Sequence, residues 1–484
     1  MPLIGLLIPA IAVACGLISR PASLAVLIAF VGTAGLTIPG MPEMLTPSLL
    51  LRMLFIGGMI LSVALRHQRQ PFSFRRNPDG WLLLFALNLI LLMWVRGSGF
   101  AMLGSSTYGG TGYMKLFITL AFYFAAIRIR FSEQDAKWLL GLLLMATILP
   151  AVVQLMASIA PSTGEALSHF IRANIEQVAD ESMQEQGGYS RWTSLASLSY
   201  ALIPVAYLLC RRKGIRFLLI GSAFFLVAMS GFRSRLIIVG LTVFLTEMAF
   251  SKDRMKTFFF WGAVGLAGLA FLMITAPLLP PAIQRAVAFL GFIPVDPDIA
   301  QGAQGTIDWR VDLWRDYCLP NVSKYLLIGR GLAHDISRWA WLQSGWYQGA
   351  EFFYYMGRYH SGPFSLLLNC GLLGTISFTA FFLGVIADAW KTVRRYAFRN
   401  DSLLSRYYVY LTIWMTVGVF SFYVIFGDVE ASLGGLLWTS ILLRVLKKNF
   451  LMESRPEAGM PEVGGQESGV RQLQRTERSN FRRF

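Results

Sequence analysis

The chain has 484 residues, of which 55% are hydrophobic and only 14% are charged. A typical soluble domain carries about 25% charged residues, so this composition excludes most water-soluble folds. The formal net charge is +16, but the lysines and arginines form short clusters between apolar blocks rather than one face of a soluble domain. We therefore expect no nucleic-acid partner, and membrane topology explains most of the excess charge.

Long apolar blocks indicate the architecture. Residues 81–94, 137–160 and 258–276 are examples, and a helix needs roughly 20 such residues to cross about 30 Å of hydrocarbon. The sequence predicts an all-α fold, a polytopic transmembrane bundle of about 12–13 spans. The expected spans include residues 3–18, 22–39, 136–159, 362–387 and 431–446.

Basic residues predict the orientation of the bundle. Clusters such as 211–216 and 391–406 lie on alternate connections, and because basic residues resist translocation, these connections are expected on the cytoplasmic side. Two of the opposite connections are long, at residues 161–193 and 277–361. The second is rich in tryptophan, so we expect it to fold as a partly helical periplasmic cap rather than remain disordered. Its tryptophans are Trp309, Trp314, Trp339, Trp341 and Trp346.

These features predict four regions. Residues 1–276 form transmembrane helices with the outer loop 161–193, residues 277–361 form the cap, and residues 362–446 form the C-terminal transmembrane helices. Residues 447–484 are expected to be a disordered cytoplasmic tail, because their mixed charge, proline and glycine leave too little apolar surface to bury.

Three arginines break the expected charge pattern. Arg233 and Arg235 lie in a short outer turn, and Arg191 precedes an apolar span at the same expected depth. Arginine near hydrocarbon is costly unless it snorkels or pairs, and a lipid phosphate fits the fork of its guanidinium. The alternative is that these arginines only anchor the chain to lipid headgroups.

Two further candidates lie in or beside the cap. Arg310 and Arg315 belong to a stretch with the pattern of an amphipathic surface helix, and they could simply form its solvated face. His360 lies where the cap re-enters the membrane, and a neutral imidazole can accept a proton from a hydroxyl nucleophile, although a lone histidine is more often structural. The chain contains no HExxH motif and no Cys/His quartet, so we expect no metal and no cofactor.

In combination these pieces resemble the O-antigen ligase and O-antigen polymerase family of bacterial membrane glycosyltransferases. The resemblance covers roughly residues 185–385 and depends on the order of short motifs. They are Arg191 before a span, Ser234-Arg235 opening another, Arg310 with Leu313-Trp314, Ile328-Gly-Arg-Gly331, and His360 leading into Gly371-Leu-Leu-Gly374. The family usually has asparagine after the histidine, whereas this chain has Ser361. A serine side chain can still form hydrogen bonds.

The resemblance implies a helical bundle with a periplasmic cap in the bacterial inner (cytoplasmic) membrane, surrounded by membrane lipids. It also implies a glycan donor linked to undecaprenyl pyrophosphate, and transfer to a sugar hydroxyl on a glycan or lipid-core acceptor without a metal. Arg191 and Arg235 would then stabilise the pyrophosphate, with Arg233 as the competitor of Arg235.

The same resemblance suggests roles for the remaining candidates. Arg310 would support the substrate or the loop, and His360 would activate or orient the acceptor hydroxyl. Glu351, nine residues upstream of His360, is an alternative base.

Several functions remain open from sequence. Within the family, the chain could ligate O-antigen to lipopolysaccharide, polymerise a surface or exopolysaccharide, or glycosylate a protein. Outside it, the alternatives are a multispanning transporter of a solute or lipid-linked glycan, and a membrane scaffold whose cap binds a partner.

Overall fold

The computed structural model describes residues 47–66, 78–100, 107–127, 193–335, 350–397 and 402–453, and four isolated positions between 141 and 156. The expected spans 3–18, 22–39 and 136–159 lie outside these ranges, apart from those isolated positions. Arg191, Trp339, Trp341 and Trp346 are also outside the described residues.

The described chain is mainly helical. Its α-helices are α1 (Pro47–Arg66), α2 (Pro78–Arg96), α3 (Gly110–Ala126), α4 (Thr193–Pro204), α5 (Lys213–Met229), α6 (Arg233–Phe250), α7 (Arg254–Thr275), α8 (Pro281–Val287), α9 (Pro297–Asp312), α10 (Leu319–Tyr325), α11 (Ala350–Tyr355), α12 (Gly362–Arg395), α13 (Leu403–Phe420) and α14 (Val429–Glu453). Strands β1 (Thr107–Tyr108) and β2 (His334–Asp335) pair antiparallel. π-Helical turns occupy Val205–Leu209, Leu313–Cys318 and Ser421–Ile425.

Five helical segments of the described chain are long and apolar enough to cross a membrane. They are Pro78–Arg96, Arg254–Leu278, Gly362–Arg395, Leu403–Ile425 and Val429–Lys448. The predicted class, an all-α polytopic membrane protein, is confirmed.

The core of the bundle lies where α12 packs along α2 and where α13 packs against α12 and α14. Aromatic rings interlock there. Phe85 meets Phe378 with ring centroids 5.6 Å apart, and Tyr123 meets Phe381 at 5.5 Å, both edge to face. Such pairs are worth about 0.5–1.5 kcal/mol beyond the area that they bury, so α12 is a central helix of the bundle.

A buried ion pair joins the first and last helices of this core. Arg444 of α14 donates to both carboxylate oxygens of Asp79 in the first turn of α2, at 2.9 Å and 2.6 Å, and the Tyr123 hydroxyl donates to the same carboxylate at 3.0 Å. The Asp79 side chain is fully buried. Lys447 pairs with Asp388 at 2.6 Å one turn further along α14. These contacts fix the end of the bundle that is expected to be cytoplasmic.

Two helix ends differ from the expected boundaries. The span expected at 362–387 continues to Arg395, and α14 continues to Glu453 rather than ending at residue 446. The tail expected from residue 447 therefore begins as helix. The Lys447–Asp388 pair ties these two extensions together, and hydropathy alone does not detect a polar contact of this kind.

Candidate functional site

His360 lies in the turn between α11 and α12 with a φ of 53°, and it is the one non-glycine residue with positive φ in the described ranges. Positive φ is uncommon for side-chain-bearing residues and persists where surrounding contacts impose it. One such contact is adjacent, since Trp314 Nε1 donates to the Tyr359 carbonyl at 2.8 Å. The structure therefore holds His360 in a specific backbone conformation.

Three aromatic rings surround the imidazole. The centroids of Trp309, Phe353 and Phe426 lie 5.3, 5.4 and 5.2 Å from that of His360. Both ring nitrogens are buried without a hydrogen-bond partner among the described residues. Because buried polar atoms are normally hydrogen-bonded, this exception marks His360 as a candidate for contact with a ligand.

The surroundings keep His360 neutral. Burial, the largest cause, and the positive charges of Arg310 and Arg358 together lower the pKa of His360 from 6.5 to about 4. Both causes disfavour the protonated ring. At neutral pH the imidazole is consequently an acceptor of protons and hydrogen bonds.

Arg310 and Arg315, which sequence alone could not separate, have different environments. Arg315 is exposed and pairs with Asp312 and Asp316, each at 2.7 Å. Arg310 is half-buried in the last turn of α9, directly after Trp309, and its charge acts on His360. The solvated-face interpretation therefore suits Arg315, whereas Arg310 belongs to the histidine site.

The arginines at the start of α6 connect to the cap. A tight turn with Gly231 at φ 71° separates α5 from α6, and Arg233 Nη2 donates to the Ala303 carbonyl of α9 at 3.1 Å. The Arg235 guanidinium lies over the Phe232 ring at 4.5 Å. Because Ala303 and Arg310 are two helical turns apart, they share one face of α9 about 10 Å from each other.

Glu351 is not directed at the imidazole by its helix. It lies in the first turn of α11, two residues before Phe353, whose ring contacts His360. Residues two apart on an α-helix point to nearly opposite sides. The structure thus brings His360 and Arg310 together, links Arg233 to them through α9, and turns Glu351 away.

The glycine-rich segment 326–331 is inserted into a break in α12. Gly371 interrupts α12 with φ 70° and ψ −175°. At the break, Gly331 N donates to the Asn369 carbonyl at 3.0 Å, and Leu372 N donates to the Leu326 carbonyl at 2.6 Å. The cap segment thereby provides backbone partners that the interrupted helix lacks.

The close approach of segment 326–331 to α12 also explains why residue 329 is a glycine. A Cβ on Gly329 would lie 2.3 Å from the Asn369 carbonyl oxygen, which is far inside van der Waals contact. Arg96, at the end of α2, donates from Nε to the Gly329 carbonyl at 3.0 Å. The glycines of this segment are visible in the sequence, but nothing in the sequence indicates that the segment completes a transmembrane helix.

Three residues of the site were not predicted from the sequence to have a role in it. Arg358 was detectable by its position two residues before His360, and Trp314 was quoted only as a motif residue. Arg330 was quoted as part of a glycine motif, although its guanidinium donates to carbonyls at the end of α11. These roles depend on contacts between segments distant in sequence.

The fold and the site together define a class, namely a multispanning helical membrane protein with a histidine and arginines at the edge of its bundle. Comparison with protein families places it further, because residues 217–379 match the family described as O-antigen ligase. This matched region is similar to that family, extends from α5 into α12, and includes Arg233, Arg235, Arg310 and His360. No curated protein matched the chain.

The family match supports a glycosyltransferase of the O-antigen ligase or polymerase type in a bacterial membrane, with a lipid-linked glycan donor and an acceptor. Arg191, the remaining arginine predicted from the sequence, lies before the matched region.

Proposed function

We propose that this protein transfers a glycan from undecaprenyl pyrophosphate to a sugar hydroxyl at the periplasmic face of the inner membrane. The observation that carries the proposal is His360, a neutral imidazole at the start of a transmembrane helix, whose two buried nitrogens have no hydrogen-bond partner in the described part of the chain. A group of this kind can accept the proton of an attacking hydroxyl.

The proposed reaction is a direct substitution at the anomeric carbon. The acceptor oxygen forms a bond to that carbon while the bond from the carbon to the pyrophosphate oxygen breaks, and the electron pair stays on the pyrophosphate. The hydroxyl proton moves to a ring nitrogen of His360. The aromatic rings of Trp309, Phe353 and Phe426 around the imidazole help to exclude water, which would otherwise hydrolyse the donor.

Arginines supply the positive charge in this proposal. Negative charge develops on the leaving pyrophosphate, and preorganised guanidiniums stabilise it without a divalent metal. We assign Arg191 and Arg235 to the pyrophosphate and Arg310 to the substrate beside His360. The contact between Arg233 and Ala303 favours a role for Arg233 in holding α9, and Glu351 becomes the weaker candidate for the base.

Donor binding should make His360 a stronger base. In the free protein, burial and the charges of Arg310 and Arg358 hold the pKa of His360 near about 4. A pyrophosphate bound by Arg191 and Arg235 adds negative charge to the site, which offsets part of the effect of Arg310 and Arg358 and favours the protonated imidazole. The base therefore gains proton affinity when the donor is in place.

This coupling predicts different pH profiles for two kinetic constants. Protonation of His360 removes the base, so activity is lost as pH falls through its pKa. The profile of kcat/KM reports the free enzyme, and that of kcat reports the complex. We expect the acidic limb of kcat at higher pH than that of kcat/KM. Steady-state rates of transfer from a lipid-linked oligosaccharide between pH 4 and 8 provide the measurement, and coincident limbs would contradict the coupling.

Replacement of Arg235 tests the pyrophosphate assignment. In Arg235→Ala, loss of one charge-stabilising contact should lower kcat by about 10²–10³-fold. Arg315→Ala is the matched control, because Arg315 is exposed and pairs only locally, and it should retain the wild-type rate. Arg233→Ala should reduce thermal stability more than kcat. A wild-type rate for Arg235→Ala would exclude Arg235 from the site.

One observation bears on the transporter alternative. Broken transmembrane helices occur at the binding sites of transporters, and α12 is broken at Gly371. Here, however, the break is filled by the backbone of segment 326–331, so it favours a structural joint. Solute uptake by proteoliposomes without glycan transfer would support transport instead.

A separate measurement distinguishes a ligase from a polymerase. Surface glycan from a deletion strain, resolved by chain length, distinguishes the two activities. Loss of a polymerase leaves chains of one repeat, whereas loss of a ligase leaves long chains that are not attached to an acceptor.

A further inference from the structure

Arg330 holds the C-terminal end of α11. Its Nη1 donates to the Tyr354 carbonyl at 2.9 Å and its Nη2 donates to the Tyr355 carbonyl at 2.8 Å. Carbonyls in the last turn of a helix have no partner within that helix. The planar fork of one guanidinium therefore donates to two of them, the first of which also accepts from Gly357 N at 3.1 Å, and it fixes where α11 ends.

The same guanidinium also lies near two aromatic rings, one at the end of α11 and one in the turn that follows. It lies 5.5 Å from the Tyr354 ring and 6.0 Å from the Tyr359 ring. Tyr359 is fully buried, and its hydroxyl donates to Asn369 Oδ1 of α12 at 3.1 Å. The Arg330 side chain thus contacts residues just before segment 356–361 and one residue within it, Tyr359, which directly precedes His360.

The backbone of Arg330 is anchored as firmly as its side chain. Its amide donates to the Leu368 carbonyl of α12 at 2.6 Å. One residue therefore joins the end of α11 to the first part of α12, and the short turn between these helices cannot shift independently of it. This connection reaches His360 through the backbone, whereas Trp309, Phe353 and Phe426 contact its ring directly.

We propose that Arg330 is a positioning residue for His360, because it fixes the turn 356–361 and so keeps the imidazole between its three aromatic neighbours. The proposal concerns the geometry of the turn, and only its consequence for transfer rests on the proposed function. Lysine cannot replace arginine in this role, since a single ammonium lacks the rigid fork that reaches two carbonyls.

The pKa of His360 depends on how far the imidazole is shielded from water, so a titration detects a change in its position. Besides the aromatic rings, the charged groups that act on it are Arg310 from α9 and Arg358 from the turn. Asp428, two residues beyond Phe426, interacts in turn with Arg358. If the turn loosens, water reaches the imidazole and the cost of charging it falls. The pKa of His360 should then rise from about 4 toward the value of about 6.5 found for an exposed histidine.

The experiment is an NMR titration of the full-length protein labelled with ¹³C-histidine, in lipid nanodiscs without donor. The chain has four histidines, so a His360→Ala sample assigns the His360 signal. In Arg330→Lys we expect the titration of His360 to move upward and the rate of glycan transfer to fall by about tenfold to a hundredfold. Arg315→Lys, the same change on an exposed arginine of the cap, should alter neither.

Two results would overturn the proposal: an unchanged His360 titration in Arg330→Lys, with or without a loss of transfer, or an equal shift in Arg315→Lys. If Arg330→Lys does not fold, Arg330→Gln retains a planar donor group and is titrated in its place with the same expectation. The titration does not depend on activity. An upward shift in Arg330→Lys, found while the wild-type protein transfers no glycan, would refute the proposed function and leave the positioning role of Arg330 standing.

Discussion

Replacing His360 should abolish most glycan transfer while leaving the fold intact. The most informative change is His360→Asn, because asparagine tolerates the positive φ that His360 adopts, whereas alanine adds backbone strain. Without a base the acceptor hydroxyl keeps its proton in the transition state, and general base catalysis typically contributes about 10²–10⁴-fold. We expect kcat to fall by that factor in transfer assays with purified protein and lipid-linked donor.

His169→Asn is the matched control for this prediction, since it makes the same chemical change in the expected outer loop 161–193, and it should leave kcat unchanged. His360→Ala should lose at least as much activity as His360→Asn. Full activity of both His360→Ala and Arg235→Ala would remove the assignment of the site altogether. A loss restricted to KM would assign His360 to acceptor binding rather than to proton transfer.

The second large effect concerns stability. Asp79→Asn should lower the free energy of unfolding by about 3–5 kcal/mol, because it leaves the Arg444 guanidinium buried without its countercharge. The geometry supports a large value, since Arg444 bonds to both carboxylate oxygens and the Asp79 side chain is fully buried. Reversible unfolding in mixed micelles, followed by circular dichroism, measures the change.

A double variant separates loss of the pair from burial of a lone charge. Asp79→Asn combined with Arg444→Met removes both charges, and much of the lost stability should return, because apolar replacements of buried pairs are often neutral. Asp316→Asn is the control, since its pair with Arg315 is exposed and surface pairs contribute little. If the double variant were less stable than Asp79→Asn, Arg444 would stabilise the bundle independently of Asp79.

Much of the fold class was predictable because membrane insertion is controlled by average composition. Apolar length predicts spans, and the described helices α2, α12, α13 and α14 lie close to the expected positions. The break at Gly371 was not predictable in the same way. Glycine is common in transmembrane helices, and only the contact with segment 326–331 distinguishes this one from Gly374.

The site was predictable in part for a similar reason. His360 and Arg310 could be proposed from residue type and expected depth in the membrane. The aromatic enclosure of the imidazole, the inward direction of Arg310 and the grip of Arg330 come from packing between segments far apart in sequence. The sequence motifs around these residues are short and degenerate, so no local pattern distinguishes Arg310 from Arg315.

The insertion of segment 326–331 into α12 has a consequence for how substrates reach His360. The amides of Arg330, Gly331 and Leu372 all form backbone hydrogen bonds across this joint. These bonds connect segment 326–331 of the cap to α12, the helix that follows His360. Opening the site by lifting the cap like a hinged lid would break these bonds together. A long lipid-linked donor would instead have to slide in sideways from the bilayer, with the cap serving as a fixed roof.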